Sequence, residues 1–190
     1  MKSQLPFAVA FVLLVYSQSL GMVRADLEDQ DLVDITCSKT YNPVFCTSTL
    51  RADPGSTSTD LKGLALIMLH AVQNRTNETF GHVKYLIGQT SDPVIKEMLK
   101  DCSTEYGVSA FESCPDAIKQ FGFGRFRFSK VDMEGVFQSA ERCEEYFSCE
   151  EVVIDGTFGH CVPKPSLLTD RNNLVYTLAR IAADIIFTIK

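Results

Sequence analysis

Read only for the spacing of its apolar positions, the chain resolves into helices. Leu61, Leu64, Ala65, Met68, Val72, Val83 and Ile87 recur mostly at three- and four-residue intervals. That spacing gathers side chains on one face and predicts a single long helix from about residue 60 to Gly88. Ser91-Asp92-Pro93 signals the next start, because an acidic cap is followed by a proline whose missing N–H costs nothing in a first turn. Ile95, Met98, Leu99, Cys102, Tyr106, Ala110 and Ala117 then form a second stripe, which Pro115 should kink or divide near Ser113. The period breaks over residues 121–128, Phe-Gly-Phe-Gly-Arg-Phe-Arg-Phe, where Gly122 and Gly124 suit a turn. Met133, Val136, Phe137, Ala140, Cys143 and Phe147 restart the stripe as a third helix. Residues 150–165 read as a loop, with Asp155-Gly156, Gly159 and two prolines. Thr169-Asp170 caps the last helix, whose stripe is Leu174, Leu178, Ile181, Ala182, Ile185 and Ile189. No segment sustains the alternation of a strand. The expected fold is all-α, four long helices in up-down-up-down order.

The segment ahead of the bundle is patterned differently. Cys37-x8-Cys46 encloses a turn at Asn42-Pro43, and Pro43 suits the first turn of a helix running to Leu50. A bridge across so short a loop closes only if the chain doubles back, which makes residues 26–52 a small helical hairpin. Such a bridge contributes ~2.5–3 kcal/mol by loop entropy. Residues 52–59 are a linker by composition, and residues 60–190 form the bundle. Residues 1–25 have the form of a secretory signal peptide: Met1-Lys2, an apolar core too short for a membrane span, then Val23-Arg24-Ala25 with small residues at the cleavage positions. Secretion of one soluble domain, 26–190, is the expectation.

Charge and cysteine content narrow the chemistry. The chain carries a net charge of −6, and removing Lys2 and Arg24 with the leader makes it more acidic still. That argues against nucleic acid and anionic membranes as partners. All 7 cysteines lie beyond the leader, so a disulfide framework with one thiol left over is expected; the count leaves the pairing open. There is no Cys-x-x-Cys pair and the 3 histidines are scattered, so neither a metal nor a cofactor is expected. No Gly-x-Ser-x-Gly elbow, His-Glu-x-x-His helix or phosphate-cradling loop occurs, and Glu144/Glu145 and Glu150/Glu151 read as solvated faces, so the chain is not read as an enzyme. Asn74-Arg-Thr and Asn77-Glu-Thr are candidate glycosylation sites. Residues 101–147 read as two antiparallel helices joined by the aromatic-basic turn, a natural probe for another protein's cleft. Some of Phe121, Phe123, Phe126 and Phe128 should fold back into the core, leaving Arg127 exposed. The rival reading is a secreted binding or storage bundle with an apolar ligand between its helices.

At this point the chain resembles the plant invertase and pectin methylesterase inhibitors. The matching features are the leader, Cys37-x8-Cys46, Gly63-Leu-Ala-Leu-Ile-Met68, Asp101-Cys102, Tyr106, Pro115-Asp-Ala-Ile118, Ala140, Cys143-Glu-Glu-Tyr-Phe147 and the apolar last helix. The resemblance covers essentially the whole chain beyond the leader. It implies bridges Cys37–Cys46 and Cys102–Cys143 and leaves Cys114, Cys149 and Cys161 outside the family's four; Cys149 and Cys161 flank a loop and are a candidate extra pair, with Cys114 then the odd thiol. It implies a monomer in the cell wall or vacuole that blocks an acid invertase or, alternatively, a pectin methylesterase by one-to-one binding. In the invertase-directed branch a Pro-Lys-Phe turn between the second and third bundle helices enters the target's active site. Counting back from Cys143 without a gap, that position is Phe126-Arg127-Phe128 here, with Phe for Pro and Arg for Lys. A cation presented there suits a glycosidase, whose scissile bond is flanked by two carboxylates.

Overall fold

The computed structural model describes residues 31–148, the backbone of Glu151–Ile154 and Thr157–His160, and residues 164–189. The expected leader at 1–25 and the expected Cys149–Cys161 pair lie outside the described residues. Two short helices, α1 (Leu32–Cys37) and α2 (Pro43–Arg51), precede a 3-10 turn at Pro54–Ser58. The long helix α3 (Leu61–Gln89) follows, then α4 (Pro93–Val108), a π-helical turn (Ser109–Ser113) and α5 (Cys114–Gly122). Helix α6 (Phe126–Ser148), the strands β1 (Glu151–Ile154) and β2 (Thr157–His160), and α7 (Thr169–Phe187) complete the order. Helix α3, the α4–α5 run, α6 and α7 pack as the four rods of a bundle.

The starts are set by short polar side chains that satisfy otherwise unpaired N–H groups. The side chains of Asp31, Asn42, Asp60 and Asp92 accept from the first backbone N–H groups of α1, α2, α3 and α4, with Pro43 and Pro93 in the first turns. Helix α7 departs from expectation. Its cap position is Leu168 and makes no side-chain bond, whereas the Thr169 hydroxyl donates to Glu144 Oε1 at 2.6 Å. A carboxylate across the bundle outcompetes the local backbone, because a charged acceptor makes the stronger bond. Residues 150–165 also differ from the loop reading, since β1 and β2 pair antiparallel with Ile154 opposite Thr157. The β-branched run Val152-Val153-Ile154 leading into Asp155-Gly156 is a hairpin signal, hidden in strands of only 4 residues.

The second rod is divided where Pro115 predicts: the π-turn ends at Ser113, and Pro115 sits in the first turn of α5. Leu64, Met68 and Leu69 of α3, Leu99 and Tyr106 of α4, Met133 and Phe147 of α6, and Ile181 and Ile185 of α7 are fully buried. Through them runs one polar chain. The Tyr106 hydroxyl donates to Asn172 Oδ1 at 2.7 Å and Asn172 Nδ2 donates to Glu144 Oε2 at 2.6 Å. Burial pushes the Tyr106 phenol up, so it stays a neutral donor.

Two bridges staple the framework. Cys37–Cys46 closes the N-terminal hairpin, and Cys102–Cys143 joins α4 to α6 with Cα atoms 4.7 Å apart. Cys114 is the free cysteine among the described residues; its buried thiol lies 3.8 Å from Thr76 Oγ1, and burial pushes it up to about 12. The hairpin is clipped to α7 by the Tyr41 N–H, which donates to Asp184 Oδ2 at 2.7 Å, and by Arg180, whose guanidinium lies 5.1 Å from the Tyr41 ring centre.

A second clasp between α4 and α6 gives the fold a pH dependence. Arg142 donates to Glu105 Oε2 at 2.7 Å and the Tyr146 hydroxyl to Glu105 Oε1 at 3.2 Å. The Arg142 bond holds the Glu105 carboxyl below its ordinary value, against the upward pull of burial. A depressed folded pKa stabilises fully above the unfolded glutamate value near ~4.3, and the stabilisation fades as pH falls through the folded value. Glu105→Gln is therefore expected to lower the melting temperature at neutral pH, and the gap from wild type should close below pH ~4. Melting curves followed by circular dichroism across this range check the sign. Asp101 nearby is shifted upward, chiefly by burial and then by Glu97, so its own contribution runs the opposite way and would not mimic the result.

Candidate functional site

The turn between α5 and α6 is built differently from the eight-residue loop expected. Phe121 and Gly122 still belong to α5, and Phe126-Arg127-Phe128 already forms the first turn of α6. The connection is therefore Phe123-Gly124-Arg125. Gly124 has φ 70°, the left-handed region that only glycine enters without strain. Its N–H bonds to Phe121 O and the Arg125 N–H to Gln120 O, both at 2.9 Å, the paired closure of a Schellman helix end. Gly124 thus fixes the turn rather than loosening it. A Cβ there would meet nothing within 4 Å, so Gly124→Ala tests the backbone alone. We expect it to cost about 1–2 kcal/mol, read as a lower urea midpoint with unchanged slope.

The four phenylalanines divide. Phe121 is buried and Phe126 half-buried against it, ring centres 5.1 Å apart, with Lys62 Nζ 5.2 Å above the Phe126 ring. Phe123 and Phe128 remain 65% and 63% exposed, and Arg127 is exposed between them. Arg125 lies 5.5 Å from the Phe123 ring centre. Beside this turn, α6 and the end of α7 bound an open groove of about 440 Å³, lined by Arg127, Lys130, Val131, Ile186, Phe187 and Ile189. Lys130 pairs with Glu134 and sits 5.8 Å from the Phe187 ring centre. Among the described residues Arg127 forms no ion pair.

Sequence reasoning singled out residues 126–128 and missed Lys130 and Phe187. Phe187 carried a signal: a large apolar residue displaced from the α7 stripe, at 76% exposure. What unites the cluster is an electrostatic cost. A helix N-terminus is positive and favours acidic residues, yet the first turn of α6 has none and bears Arg127, with Arg125 just before it and Lys130 just after. Lys130 is offset by Glu134 and Arg125 by the Phe123 ring, whereas Arg127 breaks the local preference with no ion pair among the described residues, and such positions are characteristically functional. Among the described residues no three His, Cys, Asp or Glu side chains gather as metal ligands, and no helix is long and apolar enough to cross a membrane.

The architecture defines a class: a disulfide-stapled helical bundle with a rigid cationic and aromatic end. The model of the family "Plant invertase/pectin methylesterase inhibitor" matches residues 31–185, and the chain belongs to this family. A pectinesterase inhibitor of Actinidia deliciosa is 27% identical over 141 residues, covering 74% of this chain and 76% of that protein. The cell wall / vacuolar inhibitor of fructosidase 2 of Arabidopsis thaliana is 33% identical over 111 residues, 58% of this chain and 61% of its own. The crystal structure of mutant form A of a pectin methylesterase inhibitor from Arabidopsis superposes with a TM-score of 0.67 at 20% identity, covering 85% of this chain and 99% of that one, a likeness of fold. The family consists of enzyme inhibitors, not enzymes.

Proposed function

We propose that this chain is a secreted inhibitor that blocks the active site of an acid invertase, one inhibitor to one enzyme, in the cell wall or the vacuole. The observation that carries the reading is the α6 start, where Arg127 stands exposed between the half-buried Phe126 and the exposed Phe128. A glycosidase cleft offers paired carboxylates, and the planar guanidinium meets them with two parallel hydrogen bonds. Phe128 adds apolar area, and the Gly124 closure presents both side chains on a pre-ordered turn, which limits the ordering cost of binding. The fructosidase-inhibitor relative supports this choice of target.

Pectin methylesterase is the second reading. It is favoured by the Actinidia deliciosa relative and by the polar face of α4 and α6, where Glu105, Arg142 and Tyr146 form a partly exposed cluster. Titrating the purified chain against an acid invertase and a pectin methylesterase in parallel separates the two. Stoichiometric loss of invertase activity is the expected result. Loss of pectin methylesterase activity alone would move the site to the α4–α6 face, and inhibition of neither enzyme would leave a binding bundle without inhibitory function.

A further inference from the structure

The π-turn leaves an aromatic patch that the docking site does not use. Phe111, inside that turn, is 67% exposed, and Val108 beside it is also exposed. Phe80 of α3 meets Phe111 edge to face, with ring centres 5.2 Å apart at 87°. Gly107 forms the floor, since a Cβ there would lie 3.5 Å from Phe80 Cε2. Lys84 stands at the rim, its Nζ 6.0 Å from the Phe80 ring centre. An exposed Phe111 ring against a half-buried Phe80 leaves apolar area on a helical rod that calls for a cover.

We propose that Asn77 carries an N-linked glycan whose innermost N-acetylglucosamine seats on the Phe80–Phe111 pair. This goes beyond the inhibitor reading and rests on the chain's entering the secretory pathway. Asn77 is exposed and stands three residues before Phe80 on α3. Side chains at this spacing are neighbours, about 5–6 Å between Cβ atoms. Helical side chains also lean toward the N-terminus, which draws the Phe80 ring over the turn bearing Asn77. Asn74, also exposed, is six residues from Phe80, roughly 9 Å along the axis and on another face. Its sugar would stand in solvent. A pyranose face rich in C–H bonds buries well against aromatic rings, and Lys84 is placed to donate to the sugar's oxygens.

The covalent step needs a lipid-pyrophosphate-linked oligosaccharide as donor. Asn77 Nδ2 attacks the anomeric carbon of its first sugar and loses one proton to a base of the transferase. The bond from that carbon to the phosphate oxygen breaks, and the lipid pyrophosphate leaves. Transfer has to precede folding, because Thr79, the third residue of the acceptor tripeptide, is fully buried and its hydroxyl donates to Arg75 O at 2.9 Å. The fold then lays the attached sugar onto the aromatic pair.

The test secretes the full chain from a eukaryotic host that makes high-mannose glycans. In the N74Q variant, glycopeptide mass spectrometry should find Asn77 occupied. Trimming with endoglycosidase H to a single N-acetylglucosamine should leave a melting temperature about 2–4 °C above that of N74Q/N77Q. Adding Phe111→Ala should erase this increment, and the N77Q protein, glycosylated at Asn74 alone, should show none that depends on Phe111. An unoccupied Asn77, or an increment that survives Phe111→Ala, overturns the proposal. Neither outcome bears on enzyme inhibition, which the titration reads separately.

Discussion

Replacing Cys102 and Cys143 together by alanine is expected to remove about 4 kcal/mol of stability. The bridge spans a sequence separation of 41 residues, so in the unfolded chain it forbids a large share of conformations. Cys37–Cys46, with a separation of 9, restrains far less and contributes ~2.5–3 kcal/mol on the same reckoning. Both sulfurs of the long-range bridge are in the core, where α4 meets α6, so their loss also leaves a small void. Against a total stability of about 5–15 kcal/mol, the change is large. It should appear as a melting point lower by roughly 8–16 °C for a chain of this size. Denaturant titration of the C102A/C143A and C37A/C46A proteins provides the comparison. If the first pair costs no more than the second, the rods hold each other without the staple and the entropic account fails.

The staple matters because of where it acts. Helices α4 and α6 are the arms that lead to and from the α5–α6 turn, and the Glu105–Arg142–Tyr146 clasp lies on the same pair of rods. Rigidity at mid-bundle reaches the exposed end along continuous α6 on one arm and through the π-turn and α5 on the other. The N-terminal hairpin, by contrast, is clipped to α7 through Tyr41 and Asp184. Its bridge stabilises an appendage rather than the arms.

How much of this was legible depended on the range over which each signal acts. Asp92 and the two prolines at helix starts were readable because a cap is decided within three residues. The rods were readable because an apolar stripe repeats down each of them. The α5–α6 turn was only half readable: the glycines marked it, but Gly122 is helical and Gly124 alone takes the left-handed φ. Nothing local separates two glycines spaced by one phenylalanine; the distinction lies in which carbonyls must be closed. The Thr169 cap failed for a long-range reason, since Glu144 lies 25 residues upstream and comes within bonding distance only once α6 and α7 pack. Tyr106 and Asn172, 66 residues apart, are beyond any periodicity argument. At the site, the motif position came from resemblance, while Phe187 joined it only through the packing of α7 against α6.

The α6 start allows a sharper test than loss of function alone, because folding and binding should respond with opposite signs. Arg127 is exposed, and among the described residues it makes no ion pair, so the fold gains nothing visible from its charge. Its cation faces the positive end of a 23-residue helix. Arg127→Glu replaces an unfavourable charge by a favourable one and is expected to raise stability by about 0.3–1 kcal/mol at low salt. If the proposed invertase reading holds, the same substitution sets a carboxylate against the carboxylates of the enzyme's cleft. Losing one buried partner of a charged pair costs about 2 kcal/mol or more, so the inhibition constant should rise at least ~30-fold. Arg127→Lys should fall between, keeping the charge but losing the two-pronged geometry. A variant that is both more stable and a poorer inhibitor would show that the charge is held at the helix start for its partner. Undiminished inhibition by Arg127→Glu would remove this turn from the interface and leave the α4–α6 face as the surface to mutate.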